Sequence, residues 1–194
     1  MRILLATGAA LSLLTAGPTL AAQETPPPPA PPTAEWRTPD AADLLVIDTT
    51  GGRILVEMAP EIAPAHVERI KLLAGRGFYD GLAWHRVIDW FMAQTGDPLG
   101  TGEGQSWHPD LKAEFSDVTF GAGTVGMARS ADPDSANSQF FIDLAPANFL
   151  DGQYTVVGQL IEGWDVLNAI KKGDQAANGA VEKPDYMSKV TIAP

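Results

Sequence analysis

Apolar residues recur along this chain with two periods, and the periods place the elements. Leu44 to Thr49 is apolar and β-branched, and Ile54 to Met58 alternates apolar with polar. Between them Thr50-Gly51-Gly52-Arg53 supplies turn residues, so the two runs read as a β-hairpin. From Pro60 to Gly77 the spacing becomes helical. Val67, Ile70, Leu73 and Ala74 fall on one face, Pro64 suits a first turn, and Gly75 and Gly77 suit a stop. His66 lies in this helix, where a lone histidine is expected to be partly exposed or capping. Past that point the runs shorten and glycine punctuates them. Trp84 to Ile88, Phe91 to Gln94, Thr124 to Ala128, Gln139 to Leu144, Val156 to Leu160 and Lys189 to Ile192 read as strands, and Val166 to Lys172 as a second helix. Many short strands with few helices predict a sandwich or a barrel.

Residues 1–22 follow neither period. Arg2 gives a short positive start, Ile3 to Leu14 an apolar core, Gly17-Pro18 a break, and Thr19 to Ala22 small residues for cleavage after Ala21 or Ala22. That is the layout of a secretory signal. The apolar run is shorter than the roughly 18 residues that span a bilayer. Residues 23–43 follow as a linker, in which Pro26 to Pro29 and Pro31-Pro32 favour an extended, semi-rigid polyproline spacer. The expected layout is therefore a signal peptide over 1–22, a Pro-rich linker over 23–43 and a folded domain over 44–194. Its destination is outside the cytoplasm, periplasmic or secreted.

Composition narrows the partners. The chain has 24 acidic and 13 basic residues among 194, a formal net charge of −11. Nucleic acid and anionic membrane surfaces both need Lys and Arg, so this balance argues against them. There are no cysteines, which removes disulfides, thiol nucleophiles, thiolate metal sites and a lipid anchor on cysteine. His66, His85 and His108 are not at metal-ligand spacing, and neither a G-x-S-x-G elbow nor an H-E-x-x-H pair is present. Gly100-Thr101-Gly102-Glu103-Gly104 lacks the Lys-Ser/Thr of a phosphate loop and reads as a surface turn. No metal or cofactor is expected.

Three segments mix polar with large apolar residues: Trp84-His85-Arg86-Val87-Ile88, Phe91-Met92-Ala93-Gln94 and Ser138-Gln139-Phe140-Phe141-Ile142. Together they suggest an apolar cleft carrying a few polar groups. Phe78 to Ile88, Phe91 to Pro98, Gly126 to Arg129, Asn137 to Ile142 and Phe149 to Gly152, in this order and spacing, resemble the cyclophilin signature. The resemblance covers Leu44 to Ile192.

It implies a mainly β fold, a closed eight-stranded antiparallel barrel capped by two helices, with a groove on its outside. It also implies peptidyl-prolyl cis-trans isomerisation of proline-containing polypeptides by a protein expected to be monomeric. Carried onto matching positions, it implies that Arg86 is catalytic and that Phe91, Met92 and Phe141 floor a proline pocket with Leu150 beside it. Gln94 would hold the substrate backbone with Gln139 supporting it, Ala128 and Arg129 would pair with the substrate chain, and Gly100 would lie at the groove's edge. Phe149 stands where many eukaryotic members carry a Trp that donates a hydrogen bond to cyclosporin, and Tyr154 where a His often lines the pocket. Those departures bear on inhibitor sensitivity more than on the reaction. His85, next to Arg86, should point to the opposite face. The alternative reading is a cyclophilin-like module that binds proline peptides with little turnover. A purely structural envelope protein would need no intact groove.

Overall fold

The computed structural model describes residues 39–194. The expected signal segment and the linker up to residue 38 lie outside the described residues. Asp40 caps a 3-10 turn over Ala41–Asp43 by accepting from the Ala42 N–H, and Asp43 is ion-paired with Lys71. The stretch read as the end of the linker is thus tied to the domain.

Strands β1 (Leu44–Thr49) and β2 (Gly52–Met58) form the expected hairpin, with Thr49 opposite Gly52. Helix α1 runs over Pro64–Gly75, four residues later than the apolar spacing alone predicts. The cause is local: a proline disfavours helical backbone in the residue before it, and Ala63 sits at φ −136°, ψ 69°. Ala63 offers no side-chain cap. Instead Glu114, far along the chain, accepts from the N–H groups of Ala65 (3.2 Å) and His66 (3.1 Å). The His66 ring is fully buried, contrary to its expected exposure, with Nδ1 2.7 Å from the same carboxylate. Burial works against the Glu114 charge, but the hydrogen bonds from His66 and Ala65 outweigh it and lower its pKa.

Six further strands follow: β3 (Arg86–Ile88), β4 (Met92–Thr95), β5 (Thr124–Met127), β6 (Phe140–Asp143), β7 (Val156–Glu162) and β8 (Met187–Ile192). Helix α2 (Trp164–Ala169) precedes β8, two residues earlier than predicted and ending before its lysines. All pairings are antiparallel, in the order β3-β4-β6-β5-β7-β2-β1-β8. The sheet curls until its ends approach. β3 and β8 share no ladder, but the Gly81 N–H donates to the Met187 carbonyl (2.7 Å), Trp84 to Asp185 (2.9 Å), and Met187 back to Leu82 (2.9 Å).

Alternation sorts the strands' side chains onto two faces. Leu45, Ile47, Ile54, Val56, Val125, Met127, Phe140, Ile142 and Val190 point inward and meet Val67, Ile70 and Leu73 of α1 in the main core. A second, smaller cluster of Met92, Phe120, Phe141, Ala147, Leu150 and Val156 occupies the outer face of β4 and β6, with Phe91, Ala128 and Tyr154 partly buried against it. Apolar burial on both faces explains why every residue of β4, β5 and β6 is buried.

Candidate active site

The register places the candidate side chains on that outer face. Arg86 lies opposite Gln94, Gln94 opposite Phe141, and Ile88 opposite Met92. Cross-strand neighbours at these positions are about 4.5–5.5 Å apart at Cβ, so three strands deliver one cluster. Gly126 pairs with Phe141 from the next strand, and a Cβ there would lie 2.5 Å from the Phe141 ring and 2.7 Å from Phe120. A glycine is needed at this position for the two rings to lie against the sheet, which they do nearly parallel at 6.0 Å. Met92, Phe141 and Leu150 are buried, Phe91 is partly so, and Phe149 is 65% exposed at the rim with its ring 5.2 Å from Phe91.

The polar half of the cluster is a chain of one-way hydrogen bonds. Arg86 Nη1 donates to Gln94 Oε1 (2.9 Å), and Gln94 Nε2 donates to Gln139 Oε1 (2.8 Å). Gln139 Nε2 donates to the carbonyls of Gly102 (3.0 Å) and Gly104 (2.7 Å). Carbonyl oxygens only accept, so Gln139 must turn its NH₂ to the loop and its oxygen to Gln94. Gln94 is then obliged to present its own oxygen to Arg86. The loop that ends this chain is wrapped on Asp97, whose carboxylate accepts from the N–H groups of Leu99 (2.7 Å), Thr101 (2.8 Å) and Gly102. Burial opposes the Asp97 charge, but these backbone donors together with that of Gly104 outweigh it and hold the pKa below the usual value. Gly104 approaches so closely that an added Cβ would collide with Asp97 Oδ1. The segment read as a plain surface turn therefore supplies the acceptors that orient the site. Gly100 has open space beside it, whereas Gly102 and Gly104 line the adjoining cavity.

That cavity, of about 390 Å³, is bounded by Gln94, Gly104, Asp110, Ala128, Arg129 and Gln139, among others. Arg129 does more than lend backbone. Its Nε and Nη2 donate to the Gln153 carbonyl (3.1 and 2.9 Å), and its guanidinium lies 4.4 Å over the Tyr154 ring. Tyr154 meets Phe141 edge-on at 6.0 Å, so Arg129 ties the end of β5 to the segment that closes the apolar cluster.

Arg86 is held from its other side as well. Nε donates to the Asn178 carbonyl (3.0 Å) and Nη2 to Asn178 Oδ1 (3.1 Å). Burial lowers the Arg86 pKa, partly offset by Tyr154, yet a guanidinium remains charged at any relevant pH. His85 is buried while Arg86 is half-exposed, as alternation requires, and burial lowers its pKa below that of a free histidine.

Neither Asn178 nor the carbonyls of Gly102 and Gly104 came out of the sequence. The only signal was Asn178-Gly179, a dipeptide that marks turns with left-handed backbone.

Comparison with known proteins accords with this geometry. Residues 44–192 match the family model described as cyclophilin type peptidyl-prolyl cis-trans isomerase/CLD. A Brucella suis protein named "Probable peptidyl-prolyl cis-trans isomerase" is 48% identical over 164 residues, covering 79% of this chain and 84% of the relative. The human "Peptidyl-prolyl cis-trans isomerase-like 1" is 38% identical over 149 residues, covering 72% and 83%. Among solved structures, the cyclophilin AquaCyp293 from Hirschia baltica superposes with a TM-score of 0.72 at 28% identity, covering 81% of this chain and 76% of that one. A Cryptosporidium parvum cyclophilin solved in the presence of the dipeptide Ala-Pro shares the fold at TM-score 0.71 and 24% identity, covering 78% and 99%. The chain belongs to the cyclophilin family. It is a peptidyl-prolyl cis-trans isomerase.

Proposed function

We propose that this isomerase speeds X–Pro rotation in proteins folding outside the cytoplasm, and that Arg86 carries the rate effect. Resonance gives the X–Pro bond a barrier near 18–20 kcal/mol, and no bond need be made or broken to cross it. The enzyme need only favour the twisted amide over both planar forms. On twisting, the proline nitrogen regains its lone pair and becomes an acceptor. A hydrogen bond offered there is made in the transition state alone.

What supports this reading is the proton count on Arg86. A guanidinium has five N–H groups. Asn178 and Gln94 take three, leaving one on each terminal nitrogen of a side chain that shares its sheet face with Met92 and Phe141. A charge-assisted bond of about 1.5–3 kcal/mol corresponds to roughly a ten- to hundredfold rate effect. The floor would grip the pyrrolidine ring. Gln94 and the backbone at Ala128 and Arg129 would hold the chain on either side. The protein acts as a monomer on proline-containing segments, without metal, cofactor or nucleic acid.

The test is cis-trans exchange in a short X–Pro peptide, comparing wild type with Arg86→Ala. We expect acceleration by wild type and at least about a tenfold fall in the variant, its circular dichroism unchanged. If folded wild type gave no acceleration, the better account would be a proline-peptide binding module. Cell fractionation tests the compartment. A mature chain beginning just past Ala21 or Ala22 in the periplasm or medium is expected, and a full-length cytoplasmic chain would refute export.

A further inference from the structure

Resting on the role proposed for Arg86, we infer that Asn178 is a positioning residue for the reaction, aiming the guanidinium through its side-chain oxygen. The observation is a paired acceptor. Asn178 takes the Nε and Nη2 edge of Arg86 with two oxygens of one residue, its carbonyl at 3.0 Å and Oδ1 at 3.1 Å. Two parallel N–H···O bonds fix the plane of a guanidinium as well as its place. Gln94 then fixes the rotation of that plane from the opposite end at 2.9 Å. The Asn178 carboxamide has no other hydrogen bond among the described residues.

The loop is built to present that residue. The Gly173 N–H donates to the Val87 carbonyl, and the Val87 N–H donates to Gly179, both at 2.8 Å. Both ends of the loop are thus stitched to the residue that follows Arg86. Within it, Asp174 caps a 3-10 turn over Gln175–Ala177 and its carbonyl accepts from Gly179 at 2.8 Å. Asn178 ends the turn at φ 55°, ψ 35°, in the left-handed region. Asn and Asp are the side chains that visit this region readily while carrying an acceptor oxygen on Cγ. Backbone and side-chain requirements therefore coincide at this residue.

The left-handed backbone makes the inference testable. Glycine is at ease at φ 55°, so Asn178→Gly deletes Oδ1 but keeps the fold and the carbonyl. We expect kcat, read from exchange at saturating peptide, to fall about fivefold, with KM within about twofold and a melting temperature no lower than wild type. Asn178→Asp restores an acceptor and should return kcat to within about threefold of wild type. In an Arg86→Ala background, Asn178→Gly should have no further effect, because its only route to the reaction is gone. A kcat unchanged in Asn178→Gly while Arg86→Ala is impaired would overturn the inference and spare the role of Arg86. The same loss recurring in the Arg86→Ala background, or a change confined to KM, would also overturn it. Wild-type activity in Arg86→Ala would overturn both.

Discussion

Asp143 is the most informative position to perturb for stability. It lies on β6 opposite Met92, beside the apolar floor, with no exposed surface and no hydrogen-bond partner for either carboxylate oxygen among the described residues. Burial first, and the charge of Asp151 second, push its pKa up to about 8, against 3.8 for an ordinary aspartate. Between those values the unfolded chain gives up a proton that the folded chain keeps. Stability from this group is therefore full below about pH 4 and is lost as pH rises through about 8. At pH 7 the loss amounts to about three pH units, or roughly 4 kcal/mol at about 1.4 kcal/mol per unit. Asp143→Asn replaces the group with an amide that never ionises. The amide's own burial cost is the same at every pH, so the pH dependence of the difference isolates the proton. Asp97 and Glu114 titrate alike in both proteins and cancel. In urea melts, the stability of the variant relative to wild type should rise by roughly 3 kcal/mol from pH 5 to pH 7 and level off above about pH 8. A difference that stayed constant over this range would refute the reasoning.

Gln139→Leu leaves the carbonyls of Gly102 and Gly104 without a donor and frees the Gln94 amide to turn, so exchange assays should show kcat down about five- to tenfold with the fold retained. Glu114→Gln weakens the cap on α1 and should cost about 1 kcal/mol at neutral pH by denaturant titration. Because the folded-state pKa of Glu114 is lowered, that stability is present above the ordinary value of 4.5, and the gap between variant and wild type should close as pH falls through the folded-state value. Phe149→Ala removes an exposed rim ring that meets Phe91 at a tilt and should raise KM about threefold, with stability within about 0.5 kcal/mol of wild type.

The residues that sequence reasoning reached are those whose position follows from alternation. Arg86, Gln94 and Phe141 are in β3, β4 and β6, and once those runs are read as adjacent strands their side chains must share a face. The helix start was misplaced only where Pro64 overrode the apolar spacing. The site's orientation was not legible for a different reason. Gly102 and Gly104 act through backbone carbonyl oxygens, and Asn178 through its side-chain oxygen on a loop whose path no periodic pattern records; a sequence carries no record of where either points. Glu114 and His66 meet across 48 positions, through a loop with no periodic pattern. Asp143 did leave a trace: an acidic residue inside Phe140 to Leu144 breaks an otherwise apolar run, the local inconsistency that a buried titratable group creates.

On the proposed mechanism the two halves of the site do different kinds of work. The floor meets the pyrrolidine ring in the cis, trans and twisted states alike, so its grip is uniform binding that lowers KM and leaves the barrier where it was. Arg86 can distinguish these states only if its free N–H groups are aimed at the place where the nitrogen lone pair emerges. A guanidinium at the end of three methylenes would not hold that aim unaided. The constraint has to be supplied before substrate arrives, since ordering the side chain during rotation would offset the bond it makes. Asn178 on one edge, and the Gln94–Gln139–Gly104 chain on the other, supply it from opposite directions. Damage to the floor should therefore register in KM and damage to either brace in kcat. That split separates an isomerase tuned to the twisted amide from a module that merely holds proline.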